Sequence, residues 1–453
     1  MLTTDRERPC KMLVAGLLAA MVMGFAGCQK PAPAPEVLFK AAARPADYPP
    51  SPALAARVYL DATASMDGFA RAGAESQYVQ YLGDLDLALK RAWSNSNVEY
   101  YRFGSVAERL PGTSAYRAAG DVDFYHGGAN FLETRIDRAI DEASPSVLTL
   151  VVTDLYQEDA DVSALLQHIT TRVTAHRLAL AVLGVKAEFN GTVYDVGYSH
   201  MKFPWNSQGD AKRRHPFYTV MVGRTADIVR LADQLKAVSQ IVRMENLVIM
   251  APTVVSSPLD WRAAEVTRQI GIGQDARVVD GGKRGALAFL TNRNTDLEFD
   301  ASFSYNPVPY APAIRFSKLH PPSTLVRLWS RPNFWTAAAS RDVAPGPKPE
   351  AFRLEKDGEK VTLRGRIPAK SLPSAGTYAF ALNQELNFDD YELPAFCTAW
   401  TLTNADIALY AQKPEAFDGS RTQNLSQFVN GVWTIMLHEY QPTLGTIYVY
   451  VRR

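Results

Sequence analysis

Val58-Tyr59-Leu60 runs directly into Asp61-Ala62-Thr63-Ala64-Ser65-Met66-Asp67-Gly68, and this junction constrains the fold more than any other stretch of the chain. An unbroken apolar run suits a parallel strand covered on both faces. Beyond it, Asp61, Thr63 and Ser65 fall at alternate positions, so one carboxylate and two hydroxyls can line a cup at the strand's carboxyl end. In open α/β sheets, ligands bind there. Three hard oxygen donors with a single charge suit Mg²⁺ or Mn²⁺ that keeps some waters and takes further ligands from elsewhere.

Two distant segments are candidates to complete the cup. Ser146 to Val152 is strongly apolar and ends in Thr153-Asp154, a second strand-terminal carboxylate. Gly127-Gly128-Ala129-Asn130 precedes a predicted amphipathic helix with Leu132, Ile136 and Ile140 on one face. This order resembles the von Willebrand factor type A domain and its metal-ion-dependent adhesion site. That family shows Asp-x-Ser-x-Ser after the first strand, Gly-Gly-Thr before a helix, and an Asp after the fourth strand. Asp61, Thr63 (Thr for Ser), Ser65 and Asp154 match it. Ala129 stands where the family places a metal-binding Thr, which leaves three options: the Asn130 side chain, a water, or a vestigial site. The likeness covers roughly Arg57 to Gln240. It implies a doubly wound, mostly parallel α/β sheet. It also implies an ion bound by Asp61, Thr63 and Ser65 directly or through water, by Asp154 mainly through water, and by Asn130 in place of the missing Thr. Asp67 is expected to orient the loop. Taken singly, each motif is also an ordinary helix cap or turn.

Ahead of this domain the sequence reads as an export signal. Arg6, Arg8 and Lys11 form a basic region, and Met12 to Gly24 is an apolar run too short to span a bilayer comfortably. Phe25-Ala26-Gly27-Cys28 resembles the bacterial lipobox, with Phe25 in place of the usual Leu. This implies a leader over 1–27 and lipidation of Cys28, and Gln29 resembles the pattern sent to the outer membrane, facing the periplasm. An uncleaved anchor or a plain secretory signal remains the alternative. Residues 28–52 carry seven prolines, as expected of an extended tether. Of three cysteines, Cys10 leaves with the leader and Cys28 is acylated. Cys397, set between aromatics, is expected to be a buried apolar residue rather than a nucleophile.

The formal net charge is +1, and the leader accounts for it. A near-neutral mature chain lacks the basic face that nucleic acid requires. With 453 residues, 47% of them hydrophobic, there is material for two or three cored domains. Residues 53–243 alternate strand and helix. Tyr78, Tyr81, Leu82, Leu85, Leu89 and Trp93 repeat at helical spacing, Asn190-Gly191 reads as a hairpin turn, and Phe217 to Val222 is the predicted last strand, followed by a helix capped by Thr225. Beyond 244 short alternating runs take over, including Leu297 to Tyr305, Tyr378 to Leu382, Trp433 to Leu437 and Ile447 to Val451. They predict two all-β, immunoglobulin-like sandwich modules, 244–340 and 341–453.

These features point to a lipid-anchored periplasmic binding or scaffold protein, not an enzyme, whose cation takes an acidic side chain from a protein partner. The alternatives are a structural envelope subunit with an empty site and, less favoured, a metal-dependent hydrolase. The sequence has no Gly-x-Ser-x-Gly, His-Glu-x-x-His or Walker loop, and His126 is the one histidine close to the site in sequence.

Overall fold

The leading strand, β1 (Ala55–Asp61), ends on the Asp61 carboxylate and lies in the interior of a seven-stranded sheet. The computed structural model describes residues 51–452, apart from 52–54, 95–96, 113, 156–162, 198, 257–258, 260–263, 271, 279–285, 292–294, 330–339, 343–350 and 375. The expected leader, Cys28 and the tether up to 50 therefore lie outside the described residues. Ser51 already belongs to the fold. Its amide and hydroxyl both donate to Asp227 at 2.8 Å, and its carbonyl accepts the Trp93 indole at 3.1 Å.

Flanking β1 in parallel are β2 (Asn97–Phe103) and β4 (Val147–Thr153), and the edge strand β3 (Ala107–Leu110) runs antiparallel to β2. On the other flank β8 (His215–Gly223) lies antiparallel between β4 and β5 (Ala179–Ala187), and β9 (Leu247–Met250) closes the edge, antiparallel to β5. The order is β3-β2-β1-β4-β8-β5-β9. β1, β2, β4 and β5 run one way and the other three run against them, so the sheet is mixed. Phe217 to Val222, expected as the last strand, is inserted mid-sheet. A parallel return from β5 would need a crossover, usually a helix. The described residues between β5 and β8 instead form a hairpin, β6 (Asn190–Val196) with β7 (Met201–Asn206). Its turn lies at Gly197 and His200, both at positive φ. Asn190-Gly191 is within β6, where Gly191 lets the strand approach the Gly68 backbone: a Cβ there would stand 2.8 Å from the Gly68 Cα.

Helices cover both faces. After the short helix α1 (Asp67–Ala70), α2 (Gln77–Ala92) starts at Ser76, whose hydroxyl accepts the Val79 amide, and ends with Lys90 and Arg91 suited to the helix dipole. It buries Tyr78, Tyr81, Leu82, Leu85 and Leu89 against one face, beside Ile228, Leu231 and Leu235 of α5 (Thr225–Val238). Thr225 is the first helical residue; the cap position is Arg224. On the opposite face lie α3 (Ile136–Asp141) and α4 (Ser163–His168), which continues as a π-turn through Val173.

The C-terminal half departs most from expectation. One sheet is ordered β10 (Glu265–Ile270), β13 (Leu297–Ser304), β18 (Lys360–Ile367), β17 (Phe352–Asp357). The other is β11 (Ile272–Val278), β12 (Leu287–Thr291), β21 (Thr443–Arg452), β19 (Thr377–Glu385), β15 (Ser323–Trp329), β16 (Ser340–Asp342). The ladders are antiparallel except β12–β21. Strands from both sides of the expected 340/341 boundary share each sheet, so the two modules are one sandwich. Its core includes Phe289 against Phe299 at 4.4 Å and Phe352 against Phe380 at 6.0 Å. The region is also not all-β. Between β20 (Tyr391–Glu392), which pairs with β14 (Ala313–Ile314), and β21 come α6 (Ala395–Ala399), α7 (Asn404–Gln412) and α8 (Leu425–Tyr440). Trp433, Ile435 and Leu437 are therefore helical. The burial of Leu425, Phe428, Val429, Val432, Trp433, Met436 and Leu437 repeats at 3.6, which outweighs the short alternation.

This helical insert packs on the first domain. The Tyr440 hydroxyl donates to the Val173 and Leu178 carbonyls at 3.1 Å, Leu166 meets Gly431, and Phe417 stacks on Phe203 at 4.3 Å. Cys397 is buried as expected, with its thiol pushed up to about 12 by burial. Among the described residues no helix is long and apolar enough to cross a membrane.

Gly365 of β18 faces Phe299 so closely that an added Cβ would stand 2.3 Å from the ring. Gly365→Ala is predicted to destabilise the sandwich by about 1–3 kcal/mol, read from the urea midpoint. An unchanged midpoint would contradict the placing of Phe299 directly across from Gly365 in this ladder.

Candidate functional site

The site is built where β1 stops. Thr63 keeps an extended backbone and Ala64–Met66 makes one 3₁₀ turn into α1. Asp61 then folds back on its own loop: its Oδ1 accepts the Thr63 amide at 3.0 Å and the Thr63 hydroxyl at 2.7 Å. This is the local bonding that Asp favours in turns. The Ala62 amide donates to the Phe103 carbonyl, tying the loop to β2. Asp67 is held by the Arg71 guanidinium at 3.0 and 3.1 Å, in keeping with a loop-orienting role.

The other carboxylate oxygen, Oδ2, accepts the Thr134 hydroxyl at 3.1 Å and the Thr153 hydroxyl at 2.7 Å. Because β1 and β4 pair in parallel with Leu60 opposite Val152, Asp61 and Thr153-Asp154 emerge at the same rim. Thr63 Oγ1 lies 3.1 Å from Ser65 Oγ and 3.2 Å from Thr134 Oγ1. Asp61, Thr63, Ser65, Thr134, Thr153 and Asp154 are all buried. Burial raises the Asp61 carboxyl above its ordinary value, and hydrogen bonds from Thr63, Thr153 and Thr134 hold it back. The Tyr78 phenol, raised mainly by burial, also feels the charges of Asp61 and Asp154.

Thr134 is the residue that the sequence left out. The Gly127-Gly128 turn leads into a further 3₁₀ turn, Ala129–Phe131, and α3 begins only at Ile136. The hydroxyl that faces Asp61 therefore comes five residues after Ala129, just ahead of the helix. Asn130 is exposed, and its backbone carbonyl takes the Ser105 amide and hydroxyl at 3.0 Å. It stands outside the hydrogen-bond cluster. Leu132, expected on the buried helix face, is 77% exposed. His126 is exposed, and its Nδ1 donates to the Val122 carbonyl at 2.9 Å. Thr153 was visible only as the residue before a strand-terminal acid. The available signal for Thr134 was a Thr one turn ahead of an apolar helical repeat.

The donor chemistry fits a small divalent cation. The Thr63 and Thr134 protons are engaged on Asp61, which leaves oxygen lone pairs for a metal. Octahedral Mg²⁺ with oxygens at about 2.1 Å sets neighbouring oxygens about 3.0 Å apart. The Thr63–Ser65 and Thr63–Thr134 separations are close to that edge.

The chain matches no protein-family model and no curated protein sequence.

The raised Asp61 carboxyl has a defined pH consequence. The folded state holds this proton more tightly than the unfolded chain, so the group's contribution to stability is full below the ordinary value of 3.8 and is lost as pH rises through the folded value. In chelator, the stability of wild type relative to Asp61→Asn is predicted to rise as pH falls from 7 towards 4. A flat difference in urea titrations across that window would refute the raised value.

Proposed function

We infer that the protein is a binding subunit whose Asp61 cup takes Mg²⁺ or Mn²⁺ and, through the ion, a carboxylate of a protein partner. The observation that carries this reading is the spacing of the Thr63, Ser65 and Thr134 oxygens beside a buried carboxylate. Thr63, Ser65 and Thr134 supply the first oxygens, Asp61 supplies the negative charge through the hydrogen bonds it accepts from Thr63 and Thr134, and Asp154 lies one residue beyond Thr153 to act through water. This arrangement is the von Willebrand factor type A reading of the first domain, with Thr134 in the place that Ala129 leaves open. The immunoglobulin-like reading of the C-terminal sandwich goes with it, as a rigid platform for that head. A divalent ion with open positions attracts one acid group strongly and directionally, which a near-neutral protein needs for specific capture. The basic and apolar N-terminal stretch, the lipobox-like Phe25-Ala26-Gly27-Cys28 and the Pro-rich segment support a lipid anchor for this head, at the outer membrane facing the periplasm.

A second reading is a structural envelope subunit whose cup works without an ion. It is favoured by the Asp61 oxygens, which accept four hydrogen bonds from the protein itself.

Calorimetry with MgCl₂ and MnCl₂ separates the two. Wild type is expected to bind, Asp61→Ala to lose binding, and Thr134→Val to weaken it about tenfold or more while remaining folded by circular dichroism. Absence of heat from folded wild type would leave the structural reading standing. With the ion bound, capture of a partner from solubilised membranes is expected to be abolished by chelator.

A further inference from the structure

We propose that the cleft between α2, the 3₁₀ segment Ala115–Gly120 and the turn after α5 binds a short peptide with a basic side chain and free ends, its carboxylate at Arg117 and its ammonium groups at Asp84 and Asp121. The cleft measures about 800 Å³, within the range of small-ligand sites. None of the residues of the Asp61 cup lines it, so the proposal does not depend on the cation reading.

Two glycines on this lining have no role in the fold. Gly83 lies midway along α2, where glycine weakens a helix relative to alanine, and neither Gly83 nor Gly120 has a positive φ. A Cβ at Gly83 would meet only Tyr116, at 3.8 and 3.9 Å, and one at Gly120 only Val79, at 3.4 and 3.8 Å, all ordinary contacts. What the missing side chains provide is open room between α2 and the opposite wall. That wall is held from behind. The Asp121 carboxylate accepts the Asp123 amide at 3.0 Å, and the Tyr125 hydroxyl donates to the Ala119 carbonyl at 2.7 Å. At the end of α5, the Ser239 hydroxyl oxygen accepts the Ile241 and Val242 amides at 3.2 Å. Val79, Val122, Val238 and Ile241, half-buried against the first domain's core, make an apolar floor. A lining already in place loses little freedom when a ligand settles on it.

The polar lining gives the ligand its chemistry. Asp84, Arg117 and Asp121 line the same cleft, yet neither Asp84 nor Arg117 is in an ion pair among the described residues. Two carboxylates and one guanidinium are complemented by two ammonium groups and one carboxylate, and a guanidinium can grip a carboxylate with two parallel hydrogen bonds. The Gln80 amide nitrogen donates to the Glu75 carbonyl at 2.8 Å, which leaves its oxygen to accept a peptide N–H. A nucleotide or other polyanion would meet two carboxylates here. A short basic peptide meets a complementary group at each end, between them and on the valine floor.

The test titrates the full chain in detergent and EDTA with Leu-Lys, Leu-Lys-amide and acetyl-Leu-norleucine by calorimetry. The amide lacks the carboxylate and the acetylated peptide lacks both ammonium groups. Wild type is expected to bind Leu-Lys about fivefold or more tightly than either analogue. Arg117→Gln is expected to make Leu-Lys and its amide equal, and Asp84→Asn to reduce the advantage over acetyl-Leu-norleucine. Gly83→Ala is expected to weaken Leu-Lys about fivefold or more while raising the thermal midpoint, because the fold has room for the methyl group and the helix gains from it. No binding of Leu-Lys by folded wild type, equal affinities for the three peptides, or binding untouched by Gly83→Ala overturns the proposal. Affinities are expected to be the same in MgCl₂ as in EDTA, so failure here leaves the cation reading standing, and failure of that reading leaves this one.

Discussion

A carboxylate with no exposure to solvent is the constraint on which the upper rim of the sheet depends. Burying a charge is strongly unfavourable unless every lone pair finds a donor. Asp61 finds four: the amide and hydroxyl of Thr63, the hydroxyl of Thr134 and that of Thr153. These come from the loop after β1, the segment before α3 and the end of β4. Satisfying one side chain thus fixes the relative placement of three segments that are far apart in sequence. The oxygens it gathers are hard donors at close spacing.

The rest of the chain holds that rim from below and from the side. Gly191 of β6 packs on Gly68 behind the loop, and Phe69 of α1 meets Phe189, His215 and Phe217 in one aromatic group. His215 is buried, its value pushed down to about 4 mainly by burial, so it stays neutral at neutral pH. Its Nδ1 bonds the Gly419 carbonyl of the C-terminal insert, and Tyr218 donates to Thr422 at 3.0 Å. A continuous set of contacts therefore runs from the Asp61 loop through β8 to the helices before β21. The insert supplies part of the first domain's core, so that domain and the sandwich are joined by packing as well as by the chain.

How much of this was legible depends on the range of the signal. The β1 and β4 strands, the α2 aromatic stripe and the Leu297 to Tyr305 alternation are set by local periodicity, and each appears where the sequence puts it. Asp61, Thr63, Ser65 and Asp154 come to one rim for the same reason, since each is fixed by the end of a strand. Thr134 was missed because the chain between Gly128 and α3 makes an additional 3₁₀ turn, which moves the helix start and with it the residue that faces Asp61. Local alternation also misled at Trp433, where a longer 3.6-residue burial repeat decides. The mid-sheet position of β8 and the mixing of strands across 340/341 are long-range pairings. Short alternating runs look alike whichever partner they take, so no local pattern carries that information.

A near-neutral chain has a consequence for how such a site recognises anything. Long-range steering needs a net field, and here the formal net charge is only +1. On the cation reading proposed above, recognition comes from contacts made after encounter, chief among them one directional ion–carboxylate bond. A lone carboxylate is a common surface group, so the ion alone gives attraction with little discrimination. The loop that carries Thr134 sets its hydroxyl on Asp61 and, two residues earlier, leaves Leu132 in solvent.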